Sequence, residues 1–152
     1  MALNYYMPKE TGGPPKLGSF WKHYKFNVDE IRKGAFQGAA IPASTDFKLG
    51  KLRGGWVIRD SYIKIPTASN ASVTYNIGIT EAGTEIAAAI DATDTTTYAD
   101  WVQGTIDPND STQSLALATE DHYLWLMIDS AAISTGELEV MLEIVAGADD
   151  ND

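Results

Sequence analysis

The chain has 152 residues, no cysteine and a formal net charge of −10 at pH 7. This length suits one domain with an appendage. The absence of cysteine excludes disulfides, thiol catalysis and cysteine-based zinc sites. The negative net charge argues against general nucleic-acid binding. All 11 basic residues lie in residues 1–64 beside 5 acidic ones, whereas residues 65–152 hold 16 acidic residues and no base. So complete a split predicts that the two halves meet different surroundings.

The first ten residues lack the basic-then-apolar pattern of a secretory signal, and no stretch approaches the ~18 apolar residues of a membrane span. We therefore expect synthesis in a cytoplasm and no membrane partner.

Residues 1–39 are predicted to form an extended N-terminal arm. The run Gly12-Gly13-Pro14-Pro15 fits neither a helix nor a central strand, yet the segment holds 7 of the 15 aromatic residues, and disordered tails are usually poor in them. So much aromatic surface needs burial, either on the chain's own body or on a neighbouring subunit. The residues that we expect to bind a partner are Tyr5, Tyr6, Phe20, Trp21, Lys22, Tyr24, Lys25, Phe26, Arg32 and Lys33.

One short helix is predicted within the arm. Asn27 stands three residues before Glu30, which is the spacing of a capping box. Gly34 would end the helix after about two turns.

From residue 40 to residue 147 the pattern changes to the period of two that is typical of β-strands, and we interpret this segment as the body. A bend or bulge is expected near Arg59 and Asp60, because apolar side chains occupy both faces of that strand. Residues 84–90 fit a strand or a helical turn equally well. The main predicted strands are 40–49, 56–65, 72–80, 114–118, 122–128 and 137–145.

The last two predicted strands flank a loop and are placed for an antiparallel hairpin. Residues 122–128 are apolar on both faces, which predicts a central strand that is covered on each side. Residues 148–152 form an acidic tail. Seven or eight short strands separated by turns predict an all-β fold, an antiparallel β-sandwich of jelly-roll-like type that follows the arm.

Residues that could carry chemistry form no recognisable site. Neither His23 nor His122 stands in a pattern typical of a triad or a metal site. The acidic pairs at 91–94 and 107–110 lack the spacing of a calcium loop, which favours turn-forming roles. We predict no catalytic, cofactor or metal site. An alternative is a sugar-binding platform, although aromatic residues on strands more often lie in the core. The four aromatic residues that could form the platform are Trp56, Tyr62, Tyr98 and Trp101.

Two motifs carry a resemblance to a known class of proteins. Residues 67–72 read Thr-Ala-Ser-Asn-Ala-Ser, and Asn76-Ile77-Gly78 follows in the next strand. With the closing segment 122–145, this layout resembles small virion structural proteins of tailed bacteriophages over residues 50–146.

The resemblance implies a capsid decoration (cement) protein. Such a protein would be a homotrimer on the outer capsid surface of the virion, made in the host cytoplasm, with the major capsid protein as its partner. From the residues themselves we predict no cofactor, no enzymatic activity and no nucleic-acid or membrane partner. The alternatives are a head-fibre, tail or baseplate component, or a carbohydrate- or receptor-binding sandwich.

Overall fold

The computed structural model describes residues 2–4, 18–70, 72–109 and 114–146. The strands are β1 (Ala2–Asn4), β2 (Gly18–Asn27), β3 (Thr45–Leu52), β4 (Val57–Thr67), β5 (Thr74–Gly78), β6 (Ala87–Asp91), β7 (Val102–Gln103), β8 (Leu115–Ala116), β9 (His122–Asp129) and β10 (Glu137–Ala146). The helix α1 spans Val28–Ala35.

The strands form two sheets. Sheet A has the order β1-β3-β9-β5-β6, and sheet B has the order β2-β10-β4-β7, with β8 also paired to β4. All pairings are antiparallel except that of β1 with β3. Most connections pass from one sheet to the other, as in sandwiches wound as Greek keys or jelly rolls. The predicted all-β sandwich is confirmed.

The core lies between the sheets because their facing strands present alternating apolar rows. On β10, Leu138, Val140, Leu142 and Ile144 are all buried, and on β9 the buried residues are Leu124, Leu126 and Ile128. Both rows follow the predicted period of two.

The expected hairpin of β9 and β10 is wrong. The loop between them crosses from sheet A to sheet B, and β10 pairs instead with β2 and β4. Two strands that each carry an apolar row can bury those rows by facing each other across a sandwich, which a flat hairpin cannot achieve. As predicted, β9 is central, between β3 and β5. Its outer side chains Tyr123, Trp125 and Met127 are only half-buried, so this face is not fully covered.

The bulge expected in the second long strand is present. Glu143 and Ile144 of β10 lie opposite Asp60 and Ile58, so Arg59 is the extra residue on β4. The preceding strand begins later than the sequence suggests, at Thr45 instead of residue 40, because Ser44 has a φ of 65° and interrupts the extended backbone.

The boundary of the arm also needs correction. Residues 18–35 were predicted as arm, yet β2 pairs with β10 along its whole length, and α1 follows it directly. Asn27 caps α1 as expected, and its side-chain oxygen accepts a hydrogen bond from the Glu30 N–H at 3.3 Å. The helix continues past Gly34 to Ala35. The acidic tail at 148–152 lies outside the described residues.

Candidate assembly surface

Strand β2 sorts the predicted partner-binding residues onto two faces. Its register with β10 sets Phe26, Tyr24 and Phe20 opposite Leu138, Val140 and Ile144. Those side chains face the core, whereas Trp21, His23 and Lys25 alternate with them and face outward.

Two of the predicted partner-binding residues are core residues. Tyr24 is 2% exposed and Phe26 is 1% exposed. The Phe26 ring packs against Phe47 of β3 at a centroid distance of 5.0 Å. The prediction that Tyr24 and Phe26 bind a partner is therefore wrong, because the sandwich needs their apolar surface for its own core.

Phe20 and Lys22 contact Trp56 of their own body. The Phe20 and Trp56 rings meet edge-on with centroids 5.2 Å apart. The Lys22 Nζ lies 5.1 Å from the centroid of the same indole, a distance suited to a cation–π interaction. Trp56 is itself 3% exposed, which rules it out as a member of a sugar platform.

Arg32 holds the turn after α1 in place. Its guanidinium donates hydrogen bonds to the carbonyls of Ala39 at 3.2 Å and Gly38 at 2.5 Å, to that of Ser134, and to the Asp29 carboxylate at 3.3 Å. Lys33 on the same helix is exposed. Tyr5 and Tyr6 lie outside the described residues.

The outer face of sheet B carries the most exposed large apolar side chain of the described residues, Trp21 at 48%. Its ring lies 5.9 Å from that of Tyr62 on β4, with an interplanar angle of 37°. These rings reach over β10, the strand between them. Trp21 and Tyr62 belong to the residue types that dominate binding energy in protein interfaces.

A second aromatic contact lies beside this pair. The imidazole of His23 makes a 2.6 Å hydrogen bond with a Glu139 carboxylate oxygen, and its ring packs edge-on against Trp101 at 5.4 Å. The Lys64 Nζ lies 5.7 Å from the centroid of the Trp101 ring. Trp101 and Tyr62 thus occur in two neighbouring ring contacts on the outer face of sheet B, and because Trp56 is buried, the four predicted platform residues do not share one exposed surface.

The three glutamates of β10, Glu137, Glu139 and Glu143, have polar partners on neighbouring strands. Besides the Glu139–His23 contact, Glu137 accepts a hydrogen bond from the Asn27 amide at 3.0 Å, and Glu143 pairs with the Arg59 guanidinium at 3.0 Å. These carboxylates therefore already have partners within the chain.

Sequence reasoning did not place Arg59 and Lys64 on this face. The bulge at Arg59 shifts the alternation of β4, so that Ile58 and Ile63 are both buried while Tyr62 and Lys64 pair with the outward Met141 and Glu139. The sequence signal was the presence of apolar residues at both odd and even positions of the strand. This pattern predicts a bulge, but it does not predict which side chains then face outward.

The acidic loop after β6 makes its own turns. Asp91 accepts hydrogen bonds from the N–H and hydroxyl of Thr93 at 2.9 and 2.7 Å. Asp94 accepts from the N–H of Thr97 at 2.8 Å, which together with the Thr97 side chain and the Thr96 N–H lowers the pKa of this carboxyl. These contacts are the turn-forming role that the sequence favours.

Asp46 on β3 and Asp121, which pairs with Lys51 of β3, have pKa values shifted in opposite directions. Burial raises the pKa of Asp46, and the nearby Glu81 carboxylate raises it further. Hydrogen bonding and charge from Lys51, whose Nζ is 3.0 Å away, lower the pKa of Asp121.

Within the described ranges, no group of three or more His, Asp or Glu side chains is arranged to hold a metal ion. The helix that the structure describes is too short to span a membrane.

Comparison with known proteins shows what the fold is similar to. The structure superimposes on a chain in the capsid of Ralstonia phage GP4 with a TM-score of 0.62 and 15% identity, covering 92% of each chain. It superimposes on a chain in the capsid asymmetric unit of cyanophage Pam1 with a TM-score of 0.63 and 13% identity, covering 93% of this chain and 94% of that one.

A third similar chain occurs in the acid-stable capsid of Helicobacter pylori bacteriophage KHP30, with a TM-score of 0.54 and 10% identity over 84% of this chain and 86% of that one. This chain has the fold of chains found in phage capsids. No protein-family model and no curated protein matches the sequence.

Proposed function

We propose that this chain is a virion structural protein of a bacteriophage, and specifically a capsid decoration protein that binds and stabilises the assembled shell. The observation that carries the proposal is the end-to-end similarity of fold to chains in three phage capsids, each covered over 86% or more of its length. Similarity over whole chains favours a protein that serves as a complete unit of a capsid. Its role would be structural and not enzymatic.

In this proposal the protein is made in the host cytoplasm and sits on the outer surface of the virion as a homotrimer. Its partner is the major capsid protein. The N-terminal segment supplies the contact through Tyr5 and Tyr6, and the exposed bases Lys25 and Lys33 lie on the elements that follow it. Aromatic anchors ringed by charges are typical of protein interfaces.

The test is co-sedimentation of the full-length chain with shells of the phage that encodes it. Tyr5→Ala/Tyr6→Ala should weaken binding, whereas Tyr123→Ala should not, because Tyr123 lies on the outer face of sheet A, where the Lys48 Nζ is 4.3 Å from its ring centroid. Wild-type protein that leaves the shells in the supernatant would refute the decoration role. Equal binding by the double variant would refute the role of the N-terminal segment.

A second candidate is a carbohydrate- or receptor-binding module of a head fibre, tail or baseplate. The exposed Trp21–Tyr62 pair favours it, since aromatic rings on a sheet face can stack on sugars. The 37° between the rings gives them no common plane. Glycan-array binding that Trp21→Ala abolishes, together with no binding to shells, would favour this candidate over decoration.

A further inference from the structure

Three of the four tryptophans lie beside a lysine of the chain itself. In each pair the Nζ atom is 5.1 to 5.7 Å from the ring centroid, within the ~6 Å at which the face of an aromatic ring attracts a cation. The pairs are Lys22–Trp56, Lys48–Trp125 and Lys64–Trp101. Cation–π contacts are therefore a repeated feature of this fold.

Trp21 is the exception, although it is the most exposed of the large apolar side chains described. Within the described ranges, no Lys or Arg lies over the Trp21 ring or over the Tyr62 ring beside it. Three basic side chains of the same sheet face have other contacts, which are Arg59–Glu143, His23–Glu139 and Lys64–Trp101. Lys25 lies four residues further along β2, about 13 Å away. A cation for the Trp21–Tyr62 pair therefore has to come from elsewhere.

Carboxylates lie beside this pair of rings. Trp21, Glu143 and Asp60 are cross-strand neighbours in one row over β2, β10 and β4. Burial raises the pKa of the Tyr62 hydroxyl, and the negative charges of Asp60, Asp107 and Glu143 raise that pKa further. Negative charge therefore adjoins both rings.

Two of these carboxylates have neutral hydrogen-bond donors and no cationic partner among the described residues. Asp60 is 4% exposed, and it accepts hydrogen bonds from the Ser61 N–H at 2.8 Å and the Gln103 amide at 2.5 Å. Asp107 accepts a hydrogen bond from the Asn109 N–H at 2.8 Å. The surface around the rings therefore has a surplus of negative charge.

We propose that the Trp21–Tyr62 pair is a docking site for an arginine side chain of a partner protein. The exposed ring faces and the surplus carboxylates attract the same positive charge. A guanidinium suits the site better than an ammonium, because it can stack on an indole while its N–H groups donate to a carboxylate. The site is separate from the N-terminal contact proposed above, and its test does not require shells.

The test is an NMR titration of the full-length protein, observed at the indole Nε1–H signals of its four tryptophans. The probe is N-acetyl-arginine amide, and its control is N-acetyl-citrulline amide, which has nearly the same shape without the charge. The arginine probe should shift the Trp21 signal saturably, with a dissociation constant on the order of 10 mM. The signals of Trp101 and Trp125 should move less, because a lysine already lies over each ring. The citrulline probe should leave the Trp21 signal in place.

Two variants separate the contributions of charge and ring, with the Trp21 signal as the readout in both. Asp107→Asn removes one carboxylate but keeps an oxygen that can accept the Asn109 N–H, and it should weaken binding of the arginine probe roughly 2–5-fold. Tyr62→Leu removes the second ring and should also weaken binding roughly 2–5-fold. Asp121→Asn is the matched control, because it removes the same charge at a carboxylate that pairs with Lys51. It should bind the probe like wild type.

Several results would overturn the proposal. An equal response to the citrulline probe would mean that the site binds a neutral group, and a stronger response to methyl glucoside would favour the sugar-binding candidate. A Trp21 signal that shifts when the protein alone is diluted would identify a second copy as the occupant. No shift with the arginine probe, or unchanged affinity in Asp107→Asn, would remove the case for a cation. Each leaves the shell-binding experiment unaffected.

Discussion

The ring of Tyr24 occupies the space that a side chain at Gly50 would need. A Cβ atom built on Gly50 would lie 2.4 Å from the Tyr24 Cε1. This contact joins β2 to β3 across the edge of the sandwich, and it is one reason that β2 belongs to the body.

Gly50→Ala should therefore destabilise the protein. The added methyl group forces the buried Tyr24 ring to move, and overpacking of this kind costs about 1–3 kcal/mol. Urea unfolding of both proteins measures the difference. Gly34→Ala is the matched control, because nothing lies within 4 Å of its added Cβ and the residue is helical, so it should gain about 0.4–1 kcal/mol. Equal stability of Gly50→Ala and wild type would show that the Tyr24 ring has room to shift.

Neighbouring residues of β2 should differ sharply on truncation. Phe26→Ala should lower the free energy of unfolding by about 3–5 kcal/mol, because it empties a 1%-exposed core position. Lys25→Ala should change it by less than about 0.5 kcal/mol, because Lys25 is exposed. Chemical denaturation measures both free energies of unfolding. An equally small change in the two variants would mean that residues 18–27 are part of an arm, as the sequence suggested, and not a strand of the body.

Loss of the helix cap should have an intermediate cost. Asn27→Ala removes the acceptor for the Glu30 N–H and the donor to Glu137. We expect a loss of about 1 kcal/mol from the cap, and more if the hydrogen bond to Glu137 also contributes. Asn27→Asp keeps the cap but sets a second carboxylate beside Glu137, so it separates the two contributions. An Asn27→Ala variant with wild-type thermal stability would contradict the capping role.

Two aspartates should give stability effects of opposite sign. The folded protein raises the pKa of Asp46 above its ordinary value of 3.8, so it disfavours the charged form, and Asp46→Asn should raise stability at pH 7. This gain should vanish as the pH falls through the folded pKa and then below 3.8, where both forms are neutral. The folded protein lowers the pKa of Asp94, so Asp94→Asn should lower stability above pH 3.8, and this loss should shrink as the pH falls through the lowered pKa.

Thermal unfolding of both variants between pH 7 and pH 3 measures these effects. A pH-independent difference in either variant would mean that lost contacts, and not charge, cause the change.

The regular strands could be read from the sequence because their side chains alternate cleanly. Leu138, Val140, Leu142 and Ile144 form one apolar row on β10, and the cap at Asn27 depends only on residues within one turn of α1. Such local patterns determine which segments become strands and where the helix begins.

Strand β2 could not be predicted in this way, because an edge strand tolerates polar side chains on its inner face and apolar side chains on its outer face. Lys22 shares the inward parity of Tyr24 but lies over Trp56 near the edge, while the apolar Trp21 faces outward against Tyr62. These two residues break the alternation, so the segment resembles an aromatic arm in sequence.

The sequence by itself thus determined an all-β sandwich, the position of its helix and the separation of basic from acidic residues along the chain. Only the tertiary structure decided that β10 lies between β2 and β4 and that Tyr24 and Phe26 belong to the core. Strand pairing depends on contacts between residues far apart in the chain, such as Phe26 with Leu138. Local patterns carry no record of these partners.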